Sequence, residues 1–306
     1  MIVLMLSAGL LAALPGVLGR RTGGGSPRTW ALLTSASLLV AGFYVLVGLA
    51  LLAAPVLALA AGGTSLAQVC EVLVQRFEPG GLLAAWLATG LLGSGLATTA
   101  WRLLRSRRRR MTLRVPSYVG VHEPHDGFEL VTLPTEAVLA YSVAGRAHQV
   151  VIARGLRARL DEGQFAAVVA HEHAHLRRHH QRWLDAIDAS VGVLWFVPWA
   201  RRTARTARVA LECWADRDAA DIADPCSLRG ALLVAADAVP ANGAVASLNG
   251  ADALAQRIAM LDGGHGQRDL SAPTVSLLAF TTVVATAGAV TAGPQLAALF
   301  SHLCPL

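Results

Sequence analysis

The chain has 306 residues, of which 54% are apolar and only 15% are charged, and its mean hydropathy is +0.50. This balance excludes an ordinary soluble domain and indicates a membrane protein. The net charge of +6 would suit a nucleic-acid partner, but the densest basic run, residues 107–110, directly follows a predicted membrane span. Arginines in that position fix topology and contact anionic lipid headgroups, so we expect no direct nucleic-acid binding.

Four segments are predicted to cross the bilayer, at residues 1–19, 30–61, 82–101 and 274–300. A hydrocarbon core of ~30 Å requires about 20 apolar residues, which each segment reaches or nearly reaches. No positive charge precedes the first segment, so we interpret it as a retained anchor and not as a cleaved signal peptide. The predicted organisation is a membrane region (1–101), a loop domain (102–273), and a fourth span with a short tail (274–306).

Arginines cluster on one side of the predicted spans. Arg20, Arg21 and Arg28 occupy the first loop, and a second cluster follows the third span from Arg102 onward. Because cytoplasmic loops carry an excess of arginine, both regions are expected inside the cell. The chain is therefore predicted to be a multi-pass protein of the cell membrane, with both termini outside and a cytoplasmic loop domain.

The loop domain begins with short predicted strands at residues 129–131, 137–142 and 149–152, the last two joined by a turn at 144–146. A helix at residues 253–261 is predicted to complete the domain before the fourth span. This mixture of strands and helices indicates an α+β domain.

The helix after the last strand carries the most informative motif of the chain, H-E-x-x-H, which begins at His171. Asp161 and Gln164 predict an N-cap with a capping-box partner. His171 and His175 lie four residues apart, so both imidazoles share one helix face and can converge on a single ion. The pattern indicates a zinc site with Glu172 as general base.

A catalytic zinc takes three protein ligands and keeps its fourth position for water, so one more ligand is required. Glu212 and Asp216 lie four residues apart on a second predicted helix, residues 204–220. Glu212 would complete a His-His-Glu set, and Asp216 could hold the outer ring nitrogen of a ligand histidine. The alternative is that this acidic pair only solvates a helix surface.

The other histidines of this region and a tryptophan-rich segment are weaker candidates for a role in the metal site. His173 lies on a different helix face from the two ligand candidates, and His179 and His180 are expected on a cationic surface that faces solvent or lipid headgroups. His148 could contact an oxyanion or a substrate, although a lone strand histidine is more often structural. Residues 191–200 are apolar and rich in tryptophan but too short to span, which favours a position at the membrane interface or a re-entrant one.

Three motifs in this order resemble those of the membrane-bound BlaR/MecR-type zinc metallopeptidases, antirepressor-family gluzincins related to HtpX-type proteases. They are the H-E-x-x-H motif, W-F-V-P-W at residues 195–199, and E-C-W-A-D at residues 212–216. The resemblance covers most of the chain and implies one zinc ion bound by His171, His175 and Glu212. It implies a mainly α membrane protein with a cytoplasmic α+β gluzincin-like domain between the third and fourth of four spans.

The resemblance also implies peptide bond hydrolysis, in which Glu172 takes a proton from zinc-activated water and delivers it to the leaving amine. An edge strand beside the zinc helix would bind an extended substrate by strand addition; residues 147–153 are the candidate, and an ordinary core strand is the alternative. The implied substrate is a cytoplasmic BlaI/MecI-like transcriptional repressor, or the protease itself. A broad-substrate quality-control protease and a catalytically silent membrane sensor or scaffold are the alternative functions.

Two further expectations concern the end of the chain and its cysteines. BlaR/MecR sensors continue into a penicillin-binding domain, for which no residues follow Leu306, so we do not expect direct β-lactam sensing. Cys213 and Cys226 fall in the predicted cytoplasmic domain and should remain reduced. Cys70 and Cys304 are both predicted outside, where a disulfide between them would be compatible with the topology.

Overall fold

A computed structural model describes residues 26–60, 81–116, 118–145, 148–237 and 248–262. The predicted spans at 1–19 and 274–300, and the Cys70 and Cys304 pair, lie outside these residues. In chain order, the elements are α1 Pro27–Ala60, α2 Gly81–Leu113, β1 Val121–His125, β2 Phe128–Leu133, β3 Ala140–Val143, β4 Gln149–Ala153, α3 Arg154–Arg157, α4 Glu162–Arg177, α5 His180–Val193, α6 Pro198–Ala220, α7 Pro225–Asp237 and α8 Leu248–Asp262.

Helices α1 and α2 are long and apolar enough to cross a bilayer, over Pro27–Ala54 and Leu83–Leu113. They coincide with the second and third predicted spans, and they pack against each other. Large apolar side chains of α2 nevertheless stay exposed, among them Leu83, Trp86 and Trp101. A contiguous exposed apolar surface of this kind is typical of a helix that contacts lipid or another protein.

Helices α5 and α6 pack against the two candidate spans. One hydrophobic cluster joins α1 to them through buried side chains such as Leu38, Ile187 and Leu211. Gly192 of α5 approaches α2 so closely that a Cβ atom there would lie 2.3 Å from the hydroxyl oxygen of Thr99. Only glycine permits this approach, so a small residue determines how closely the loop domain meets α2.

The four strands form one sheet in the order β1-β2-β4-β3. Strands β1 and β2 are antiparallel, β2 and β4 are parallel, and β4 and β3 are antiparallel. The three predicted strands correspond to β2, β3 and β4, although β3 begins at Ala140, three residues later than predicted. Strand β1 was not predicted, because its sequence V-H-E-P-H is mostly exposed and lacks the apolar alternation of a half-buried strand.

The prediction of a substrate-binding edge at residues 147–153 is wrong. All five residues of β4 are buried, and both of its sides are already paired, with β2 and with β3. A strand without a free side cannot accept another strand. The edge strands of this sheet are β1 and β3, and β3 lies beside the motif helix α4.

Helix α4 begins with the predicted capping box. The Asp161 carboxylate accepts a hydrogen bond from the Gln164 amide at 2.7 Å, and the Gln164 side chain accepts one from the Asp161 amide at 3.2 Å. The apolar face of the helix then packs on the sheet, with Leu176 joining Val150 and Ile152 in one cluster. This packing holds α4 in one orientation, with its histidines between the sheet and α6.

The arginines at the end of α2 also dock the loop domain. The Arg110 guanidinium lies 2.8 Å from the Asp185 carboxylate, and Arg102 lies 3.8 Å from Asp188. Two of the arginines at this end of α2 therefore pair with acidic side chains of α5. Among the described residues, Cys213 and Cys226 form no disulfide bond.

Candidate metal centre

Three ligand-type side chains converge between α4 and α6. The Nε2 atoms of His171 and His175 lie 3.1 Å apart, and the nearer Glu212 oxygen lies 3.5 Å and 3.7 Å from them. Successive turns of α4 supply the two imidazoles, and the long helix α6 supplies the carboxylate from 37 residues further along the chain. Within the described part of the chain, these three residues form the group that could hold a metal ion.

The geometry of this group fits zinc. Zinc binds imidazole nitrogen at about 2.0–2.1 Å with tetrahedral angles, which places two ligand nitrogens about 3.3 Å apart. The observed separations of 3.1–3.7 Å bracket that value. Moreover, two imidazole nitrogens that face each other beside a carboxylate oxygen form a set of ligand atoms that a single cation can bind.

The buried ion pair of Asp216 and Arg257 contacts the outer ring nitrogen of His171. Asp216 lies one turn beyond Glu212, and its carboxylate is 2.9 Å from His171 Nδ1. Arg257 of α8 then binds both Asp216 oxygens, each at 2.7 Å, and also lies 3.5 Å from Glu212. This chain of contacts holds the His171 ring with Nε2 directed at the metal position.

The second histidine is supported by His180, whose predicted position on a solvated or headgroup-facing surface is wrong. The His180 ring is fully buried, and its Nδ1 lies 3.0 Å from His175 Nδ1. Burial, followed by the charge of nearby His175, lowers the pKa of His180 to about 3, so the ring is neutral. If His175 binds metal through Nε2, its Nδ1 carries the hydrogen and donates it to His180.

The Trp214 ring packs against the His180 ring, with ring centroids 5.0 Å apart. Arg28 at the start of α1 and Arg178 at the end of α4 both lie over the Trp214 ring, at 5.6 Å and 5.7 Å from its centroid. Asp218 anchors the same region, because it binds Arg178 at 2.6 Å and Arg177 at 3.0 Å. The candidate span α1 is therefore connected to His175, a candidate metal ligand, through the rings of Trp214 and His180.

The histidine and the two carboxylates around the candidate metal position shift one another's pKa values. Burial lowers the pKa of His171, but its contacts with Asp216 and Glu212 outweigh burial and raise the pKa to about 10 when only these protein groups act on it. Burial raises the pKa of Glu212 and of Asp216, but hydrogen bonds outweigh burial, from His171 and His175 to Glu212 and from Arg257 and His171 to Asp216, and bring both pKa values below the ordinary carboxylate range. Both carboxylates are thus ionised at neutral pH, as cation binding requires.

A cleft of about 700 Å³ opens beside this centre. Its floor includes His171, Glu172 and His175, and the edge strand β3 forms one wall. His148 lies on the same wall, where its Nδ1 accepts a hydrogen bond of 3.4 Å from Gly145. The opposite wall comes from the start of α5 and includes His179 and Arg182. The cleft therefore joins the metal position, a carboxylate and a strand edge.

The structure places the remaining candidates differently. His173 packs on Phe128 of β2, with ring centroids 4.7 Å apart, and does not join the ligand group. Sequence reasoning missed the roles of His180 and Arg257. Arg257 is the one charged residue of the predicted helix at residues 253–261, which was a signal for its role, since such a cation needs a partner when it is buried.

One family model matches part of the chain. Residues 103–216 match the model of peptidase family M48. The matched region begins inside α2, contains the H-E-x-x-H motif and Glu212, and ends at Asp216. Comparisons with curated proteins and with solved structures gave no match. Over these residues, the chain is similar to metallopeptidases of family M48.

Proposed function

We propose that the protein is a membrane-embedded zinc metalloendopeptidase of the gluzincin type. The observation that carries this proposal is the convergence of His171, His175 and Glu212 at the floor of a cleft that also contains Glu172 and the edge strand β3. M48 peptidases are generally zinc-dependent, in agreement with the ligand set. Metal-dependent peptide hydrolysis needs ligands for the ion, a group that transfers protons and a site that holds the substrate backbone, and this cleft offers residues for each.

The residues of the cleft have separate roles. Zinc, when bound by the three ligands, would acidify a water molecule and polarise the scissile carbonyl. Glu172 accepts the proton of the attacking water and returns it to the leaving amine. The free side of β3 aligns the substrate backbone by strand addition, in place of residues 147–153. His148, on the same wall, contacts the substrate or its developing oxyanion.

We further propose that the protein is anchored in the cell membrane with this domain, residues 102–273, in the cytoplasm. The apolar length of α1 and α2 and the arginines in the last turns of α2 support this topology. The resemblance to BlaR/MecR-type peptidases supports a signalling role, in which the substrate is a BlaI/MecI-like repressor or the protease itself. The bilayer and this protein substrate would be its partners.

Purified protein in detergent, incubated with zinc and a proteome-derived peptide mixture, tests the activity by mass spectrometry. Glu172→Gln should retain zinc but lose at least ~10²-fold in cleavage rate, because general acid–base catalysis contributes about that much. Glu162→Gln is the matched control, since this exposed glutamate lies at the other end of the same helix. Cleavage by Glu172→Gln at the wild-type rate would refute the mechanism.

Proteomes of cells that express wild type or Glu172→Gln would then identify the substrate. Accumulation of one protein in the variant supports signalling by a specific cleavage. Accumulation of many unrelated membrane proteins would instead favour quality control. A zinc-loaded protein that cleaves nothing in either assay would favour the silent sensor or scaffold.

A further inference from the structure

The turn between α5 and α6 exposes a compact aromatic surface. We call residues 194–199 the hairpin tip. Its Trp195, Phe196 and Trp199 side chains are 37%, 36% and 44% exposed. Nothing in the proposed chemistry uses these residues, and the cleft is at the other end of α5. Three large aromatics together on one exposed turn mark an interaction surface.

The hairpin tip lies beside the apolar part of α2. Trp195 Nε1 donates a hydrogen bond of 3.1 Å to Ser94, and Thr98 donates one of 2.8 Å to the Gly192 carbonyl. Further along, Ser106 donates one of 3.1 Å to Asp185. The contacts advance in opposite directions along the two helices, so α5 runs antiparallel beside α2 and the tip extends furthest along its apolar end.

These contacts allow the depth of the tip to be calculated. Ser94 precedes Arg102, the first charged residue of α2, by eight residues. With a rise of ~1.5 Å per residue, the tip extends about 12 Å beyond the level of that charge. If α2 crosses a bilayer, this depth lies within the headgroup and upper acyl region, where tryptophan is enriched.

Charges follow directly behind the aromatics. Arg201, Arg202 and Arg205 are exposed on the first turns of α6, and Arg201 donates a hydrogen bond of 3.1 Å to the Trp195 carbonyl. The buried face of the same turns carries small or apolar residues such as Ala200 and Ala204. Aromatics at the tip with arginines behind them match an element that enters a leaflet and binds anionic headgroups.

We infer that the hairpin tip inserts into the cytoplasmic leaflet as an additional membrane contact of the loop domain. The lipid surface is its partner, and this inference rests on the proposed membrane location and not on the peptidase activity. Arg182 of the cleft wall precedes Asp185 by one turn, which puts the cleft about 10 Å beyond the level of Arg102 on the aqueous side. The zinc centre is thus held close to the bilayer and favours substrate segments near the membrane surface.

Spin labelling of the full chain in nanodiscs with anionic lipid tests the inference. Cys70, Cys226 and Cys304 are replaced by serine, and the buried Cys213 is retained. Single labels are introduced as Phe196→Cys at the tip, Leu87→Cys on exposed α2 and Arg229→Cys on exposed α7. The ratio of oxygen to nickel-chelate accessibility should be several-fold higher at 196 and 87 than at 229.

Each alternative outcome has one meaning. A ratio at position 196 as low as that at 229, together with a high ratio at position 87, would overturn the insertion of the tip and leave the membrane location intact. Low ratios at both 196 and 87 would overturn the insertion of the tip and the membrane location of α2. A label at 196 that neither reagent reaches would indicate a protein covering the tip, such as a second copy, and would also overturn lipid insertion.

Discussion

Removal of the Arg257 guanidinium should damage both stability and zinc binding. In the Arg257–Asp216 pair the side chains are only 17% and 3% exposed, and the two hydrogen bonds of 2.7 Å are bidentate. Deleting one partner of a buried pair costs about 3–5 kcal/mol, because the other charge remains buried without compensation. At about 2–4 °C per kcal/mol for a domain of this size, Arg257→Ala should lower Tm by roughly 6–20 °C.

Zinc affinity should fall in the same variant. Asp216 orients His171 through Nδ1, and loss of such an outer partner typically weakens metal binding by ~10–100-fold. The assays are thermal unfolding in detergent and competition with a zinc chelator. Arg257→Lys should give an intermediate result, since an ammonium group cannot bind both carboxylate oxygens in the same planar geometry.

Arg229→Ala provides the matched control for this experiment. Arg229 of α7 pairs with Asp262, which lies on the same helix α8 as Arg257, but the two side chains of this pair are 51% and 50% exposed. An exposed pair contributes ~0–1 kcal/mol, so its loss should hardly change Tm or zinc affinity. Equal behaviour of Arg257→Ala and Arg229→Ala in both assays would refute the reasoning.

Three further predictions concern residues around the centre. His180→Phe should weaken zinc binding by ~10–100-fold in chelator competition, and His180→Asn should restore part of it because an amide oxygen accepts the same hydrogen bond. Burial raises the pKa of Asp218, but its ion pairs with two arginines outweigh burial and lower that pKa. Its stabilisation is therefore present above the ordinary carboxyl pKa and lost as pH falls through the lowered value, so the Tm advantage of wild type over Asp218→Asn should shrink below about pH 4. Gly192→Ala should cost ~1–3 kcal/mol by overpacking against Thr99, measured as a lower Tm, whereas Gly90→Ala, with no atom within 4 Å of the added carbon, should be neutral.

The sequence predicted the features that depend on local spacing. The four-residue separation of His171 and His175 places both on one helix face, and the same separation relates Glu212 to Asp216. The capping box at Asp161 depends on groups three residues apart. Such features depend on helix geometry alone, which is the same in every protein, so they could be predicted without knowing what packs against the helix.

Tertiary structure decided the features that depend on long-range packing. Apolar runs predicted β3 and β4, but they contain no information on which strand pairs on both sides, so the free edge was assigned to the wrong strand. His180 follows a run of arginines, which suggested a solvated surface until Trp214 and His175 were seen to enclose it.

The sequence alone therefore determined which residues could bind a metal ion, because H-E-x-x-H and the acidic pair are local patterns. Only the folded chain decided what holds those ligands in place and where a substrate can lie. Arg257 is 41 residues from the carboxylate that it binds, and Ser94 is 101 residues from Trp195. Contacts over such distances arise from the burial of many side chains at once, and no short stretch of sequence encodes them.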